Sequence, residues 1–238
     1  MCTPWPSTAE ALVAVQRELA LARPEPWWPR HGARAVAGCF VCSQRGRVGP
    51  GAAGDPGWAA AALLVDHDCA RVAVVTGRAP APYVSGLLAL RDGRLLEAAV
   101  RRLPVRPEVL LVNATGRDHP RRAGLALHLG AQLDIPTIGV TAQPLIARGD
   151  WPADELGAIS HLRIEDDVVG CWLRLRRGVR PLVVHAGWRT DLETAVAVVT
   201  AATRDTRTPE PLRQARRAAR EARAAGTAGQ AISAGSEP

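Results

Sequence analysis

The decapeptide Asn113–Arg122, NATGRDHPRR, stands between two apolar runs, PEVLLV before it and GLALHLGAQL after it. A short β-rich run, a polar Gly-containing loop and a helical run in that order read as strand, loop and helix, and α/β proteins place their chemistry in such loops. An amide, Asn113, occupies the loop's first position, where a metal-dependent enzyme would want a carboxylate. Working outward, the segment APYVSGLLALRDGRLLEAAVRRL reads as a loop entering a helix that stops before Pro104, and PTIGVT as the next strand. HLRIEDDVVGCWLRLR gives two more strands around a Glu165-Asp166-Asp167 turn, PLVVHAG another, and LETAVAVVTAATR a helix.

Upstream, STAEALVAVQRELALAR is a helix that Ser7 or Thr8 can cap, followed by the Pro/Trp-rich connection PEPWWPRHG. RAVAGCFVC, GWAAAALLVD and ARVAVVTG then form a β-meander, its second turn at Asp66-His67-Asp68. Together these elements predict an α/β fold with a mixed β-sheet flanked by helices. The C-terminal stretch TPEPLRQARRAAREARA is an Arg-rich helix with a weak apolar face, and AGTAGQAISAGSEP is a polar tail expected to be disordered.

With 238 residues, 47% of them hydrophobic, the chain can bury one substantial core. No run reaches the roughly 18 apolar residues of a membrane span, and MCTPWPSTAE has neither a basic leader nor an apolar one, so no membrane association and a cytoplasmic location are expected. Every one of the 30 basic residues is Arg, and the formal net charge is +7. Composition bias explains the missing Lys, while the charge itself suits a polyanionic partner. Cys2, Cys39, Cys42, Cys69 and Cys171 make no disulfide framework, and CFVC lies in a strand-like run, so its two thiols are expected to pack rather than to bind metal.

PYVSGLLALRD, LLVNATGRDHPRRAGLALHLG, PTIGV and HAGWRTDLETAV occur in the order and spacing of the endonuclease V family, which this chain resembles from about Thr8 to Arg207. The resemblance implies a ribonuclease H-like fold, with residues 1–207 as an endonuclease V-like domain and 208–238 as an Arg-rich helix and disordered tail. It also implies a monomer and Mg2+-dependent cleavage near a deaminated base, inosine, in DNA or RNA. Oxygen ligands at strand ends would hold the ion, activate water and offset charge on the phosphate.

Carried over position by position, the family's first Asp falls on Phe40, its Glu on Asp92, its second Asp on Asn113, a Lys on Ala142 and a late His on Trp188. The candidate catalytic residues are therefore Asp92, Asn113 and His119, and the candidate metal ligands are Asp92, Asn113 and Asp118. Asp118 is a nearby acid absent from the family pattern, and an exposed helix cap is its alternative reading. The recognition side matches better. Pro82 and Tyr83 fit a wedge loop that parts a base step, Gly86, Leu87 and Leu88 fit the pocket for a flipped base, and Gly116, Arg121 and Arg122 retain the loop's pattern. Only the fourth wedge position differs, as Ser85. His128 is expected to pack, and Trp188 with Arg189 either to cover the site or to pack. Three functions remain open at this level: an impaired or altered Mg2+ endonuclease, a nucleic-acid binder that does not cut, and a protein-interaction scaffold.

Overall fold

The computed structural model describes residues 4–29, 32–44, 51–66 and 68–234, with the side chains of Cys69, Ala70 and residues 227–234 left out. Cys2, His67 and residues 235–238 thus lie outside the described residues. Helix α1 (Ala9–Leu21) starts at Thr8, whose Oγ1 accepts from the Ala11 amide at 3.2 Å. Strands β1 (Ala35–Ser43), β2 (Pro56–Val65) and β3 (Asp68–Arg78) follow as the expected antiparallel meander. Next come α2 (Leu88–Arg101), β4 (Val109–Val112), α3 (Leu125–Leu133) and β5 (Thr137–Thr141). The hairpin β6 (Ile159–Ile164) and β7 (Asp167–Leu173), then β8 (Leu182–Ala186), α4 (Leu192–Ala201) and α5 (Glu210–Ala234) complete the chain.

All eight strands form one sheet, ordered β3-β2-β1-β4-β5-β8-β7-β6, in which β1, β4 and β5 are parallel and the remaining pairs antiparallel. Burial follows from this placement. The inner strand VLLV of β4 is buried on both faces, whereas edge strand β6 alternates between buried and exposed residues. One face, with Ala37, Cys39, Leu110 and Val112, packs against α2 and α3, and α1 lies on those helices. The other, with Val36, Val109, Leu111 and Ile138, packs against α4 and the start of α5. Cys39 and Cys42 point to opposite faces, as strand alternation requires, and Cys42 Sγ lies 3.4 Å from the Ala219 carbonyl oxygen of α5.

Helix α5 is built into the sheet. Ala215 and Ala219 meet Ala60 and Ala62 of β2 in a layer of methyl groups, and a Cβ on Gly38 would lie 2.5 Å from the Leu212 nitrogen. Small residues on both sides let helix and strand backbones approach closely. The division after residue 207 marks a change in composition, while in packing Leu212, Ala215 and Ala219 belong to the core. The helix also continues over residues 225–234, where the sequence suggests disorder. None of the described helices is long and apolar enough to cross a membrane.

The contact at Gly38 makes a sharp demand. Gly38→Ala drives a methyl group into helix backbone that cannot rotate away, and overpacking of this kind costs about 1–3 kcal/mol. Urea denaturation should show that loss, and an unchanged midpoint would mean that α5 does not dock as closely as described.

Candidate nucleic-acid interface

The register that pairs Cys39 of β1 with Val112 of β4 sets the next residues, Phe40 and Asn113, side by side where the pairing of the two strands ends. Both lie on the α5 face, by alternation from Val36 and Val109. Asn113 Nδ2 donates to the Val140 carbonyl at 3.1 Å, and its Oδ1 accepts from Arg216 Nη2 at 3.3 Å. A carbonyl can only accept and a guanidinium only donate, so the two partners fix the amide's orientation. The Arg216 guanidinium also lies 5.2 Å from the centre of the Phe40 ring, in cation–π geometry. Sequence reading missed Arg216. Its one signal is an Arg on the stripe Leu212, Ala215, Ala219 that docks the helix.

Asp92, on α2, is 15% exposed, and its nearest cation is Arg91, whose Nε lies 3.9 Å away. Burial pushes the Asp92 carboxyl up to about 6, against the pull of that guanidinium. Arg91 is itself committed elsewhere, pairing with buried Asp55 at 3.2 Å and donating to the Ala52 and Ala81 carbonyls. Asp118 corrects both expectations for it. It is fully buried, and its carboxylate accepts from the backbone amides of Leu145, Ile146 and Ala147 at 2.6–2.9 Å, so it pins the loop after β5 instead of facing the pocket or capping a helix. Ala142 is exposed. Trp188 sits beyond the far end of β5, its amide bonded to Thr137 Oγ1 and its Cβ against Gly130, so it packs instead of covering the site.

The recognition loop is assembled around one carbonyl. Gly86 O accepts from Gln16 Nε2 at 3.1 Å, His119 Nε2 at 3.1 Å and Arg121 Nη2 at 2.7 Å. His119 Nδ1 accepts the Arg121 amide at 3.2 Å, which leaves the proton on Nε2. Arg121 Nε further binds Gln16 Oε1 at 2.5 Å. Gly86 has φ +77°, and a Cβ there would lie 3.1 Å from the Arg121 guanidinium, so only glycine suits the position. His119 and Arg121 thus hold the loop in position, and His119 also lines the cavity beneath it. Gln16 is a second omission, marked in the sequence only by an amide on the inner stripe of α1.

Beyond that anchor Pro82, Tyr83, Val84 and Ser85 are exposed, Tyr83 by 44%, so the chain's only Tyr is no core residue. A cavity of about 190 Å³ opens beneath, lined by Gln16, Tyr83, Gly86, Leu88, Asn113 and His119 among others. Leu87 and Leu88 are half-buried against the core, with Leu88 facing the cavity. Gly116 is not at this surface: a Cβ there would lie 2.2 Å from the Ala186 carbonyl oxygen, so it is needed for close packing. Arg122, with φ +55°, pairs with Glu165 and Asp167 of the β6–β7 turn at 3.6 Å each, and that turn is the expected hairpin.

Mg2+ does not fit these residues. Of the two strand-end positions one is an aromatic ring and the other a neutral amide engaged with a guanidinium, and among the described residues no three His, Cys, Asp or Glu gather to hold a metal.

A sequence profile of endonuclease V matches residues 34–217. Endonuclease V of Streptomyces coelicolor is 38% identical over 213 residues, 87% of either chain. The crystal structure of endonuclease V from Streptomyces avermitilis aligns at TM-score 0.83 and 36% identity, over 94% of this chain and 96% of that one. Endonuclease V of Ciona intestinalis, solved with a 24mer DNA containing an inosine followed by a ribo-adenosine, shares the fold at TM-score 0.74 and 22% identity, over 89% and 96% of the two chains.

Burial sets the pH response. It lowers His119, His128 and His185 from 6.5 to about 4 each, so all three stay neutral in the folded protein. The unfolded chain takes up their protons first, and the stability they contribute, present above about 6.5, is lost as pH falls toward 4. Asp92, raised to about 6, works in the opposite sense, its contribution being lost as pH rises through 6. Three groups against one predicts a net fall on the order of 1–3 kcal/mol per pH unit between pH 6.5 and 4. Urea midpoints measured across that range should drop, and His119→Gln should flatten the slope; a flat profile in the parent protein would contradict the buried neutral histidines.

Proposed function

The chain belongs to the endonuclease V family, with its ribonuclease H-like fold, and from that premise we propose that it binds inosine-containing DNA or RNA at the Tyr83 loop while its metal-dependent cleavage is impaired. The observation that carries the binding half is the anchored loop. Three donors converge on the Gly86 carbonyl, which holds the exposed Pro82–Ser85 tip over a cavity able to receive a base. A rigid tip is what a wedge needs, because a mobile one would fold back instead of opening a base step. Support for the ligand comes from the Ciona relative with its inosine-containing DNA and from the net charge of +7.

The impaired half rests on Phe40 and Asn113. Metal-assisted hydrolysis needs charged oxygen ligands to fix the ion and lower the pKa of its water. Asp92 alone supplies one acid, and burial raises even that one toward protonation. What remains to this chain is recognition: Tyr83 enters the stack, the extruded base enters the cavity beside Asn113 and His119, and the Gly86 anchor resists the recoil.

Incubation of the purified protein with inosine-containing and matched control strands, with Mg2+, with Mn2+ and with EDTA, tests both halves when shift and cleavage are scored together. Preferential shift of the inosine strand with little or no cutting is expected. Tyr83→Ala should reduce the inosine affinity by at least about fivefold, given the 1–3 kcal/mol of a base–aromatic stack, and leave the control strand nearly unaffected. Equal losses on both strands would remove the wedge, and brisk Mg2+-dependent cutting would overturn the impairment.

A further inference from the structure

We propose that Arg216 is a built-in cation at the paired ends of β1 and β4, which excludes a divalent ion and binds the strand's phosphodiester in its stead. The proposal rests on the preceding reading in taking a nucleic acid as the ligand, and it assigns the part of that ligand bound beside the base cavity.

Three observations carry it. First, the guanidinium touches both strand-end positions at once, stacking 5.2 Å from the Phe40 ring centre and donating to Asn113 Oδ1 at 3.3 Å. Those side chains are the two that a strand-end metal would need as oxygen anions, and each instead suits a planar cation: a π face for the plane and an amide oxygen for an N–H. Second, the charge is not neutralised. On the same helix Arg213 pairs with Glu210 at 2.6 Å and Arg217 with Glu221 at 2.7 Å, whereas Arg216 pairs with no carboxylate among the described residues. Third, among the described residues its one hydrogen bond is that to Asn113, and its buried Nε has no partner. A guanidinium has five N–H donors in a rigid fork that matches a phosphate's two oxygens.

Asn113 lines the base cavity and Arg216 is bonded to it, so the guanidinium stands one side chain behind the cavity wall, on the side where this proposal places the phosphodiester. Partial burial and the nearby Arg220 lower the pKa of Arg216, but a guanidinium stays charged at neutral pH. Its fixed positive charge repels a divalent ion from the position it fills. A consequence is that Asn113→Asp by itself makes an ion pair with Arg216 and no metal site.

The test uses the full chain and two probes. In anisotropy titrations of labelled inosine and control strands, affinities in EDTA and in Mg2+ should agree within about twofold, and Arg216→Met, which keeps the stem over the Phe40 ring, should weaken both strands by about tenfold and lower the salt slope by about one. Arg216→Lys should recover part of the loss, and Arg213→Ala should change affinity less than twofold. Circular-dichroism melts of each variant identify any that fail to fold, and Arg216→Lys then carries the comparison. Separately, Mn2+ binding followed by electron paramagnetic resonance should be absent in the parent protein and in Asn113→Asp, and should appear in the triple variant Phe40→Asp, Asn113→Asp, Arg216→Ala. Bound Mn2+ in the parent, affinity that collapses in EDTA, or strands held equally well by Arg216→Met would each overturn the proposal. Loss of inosine preference with Arg216-dependent binding retained would overturn the base-recognition reading alone, and absence of any strand binding would overturn both.

Discussion

The parallel pairing of β1 with β4 is the constraint on which the rest of this molecule depends. Matching Cys39 with Val112 decides that Phe40 and Asn113 emerge together and on the same face. A slip of one residue would send one of them to the opposite face, among α2 and α3. The antiparallel meander on one side and β5 with its neighbours on the other hydrogen-bond both edges of this pair, and helices cover both its faces, so neither strand can shift alone.

Close approach of α5 is the second constraint, and it depends on residues notable for their small size. Gly38, Ala60 and Ala62 on the sheet face Ala215 and Ala219 on the helix, and larger side chains would hold the helix several ångströms farther away. At that greater separation Arg216 could not lie over Phe40 and reach Asn113 together. An apolar layer with almost no side-chain bulk therefore positions the most polar contact at the strand ends.

Much of the fold was legible because it is written in local patterns. Turn residues separate the three strands of the meander, Pro104 lies just beyond α2, and PEVLLV and PTIGVT are short apolar runs of strand length. The loop motifs marked Tyr83, Gly86, Asn113 and His119, and these do line one cavity. What was not legible is the partner each side chain takes across long sequence separations. Asp118 is satisfied by amides 27–29 residues away, Gln16 reaches Gly86 across 70, and Arg216 reaches Asn113 across 103. In a chain where every basic residue is Arg, nothing local distinguishes Arg216, and only the geometry of docking does.

The Gly86 anchor has an implication for where this protein ends as a working object. The stretch recognised by the family profile begins at residue 34, yet one of the three donors on the Gly86 carbonyl, Gln16, belongs to α1. Gln16 also receives the Arg121 side chain that supplies another donor, so two of the three fastenings run through a helix outside the recognised boundary. Load on the tip of the loop is therefore resisted in part by α1, a helix that the profile's span leaves out although a relative aligned over 94% of the chain includes it.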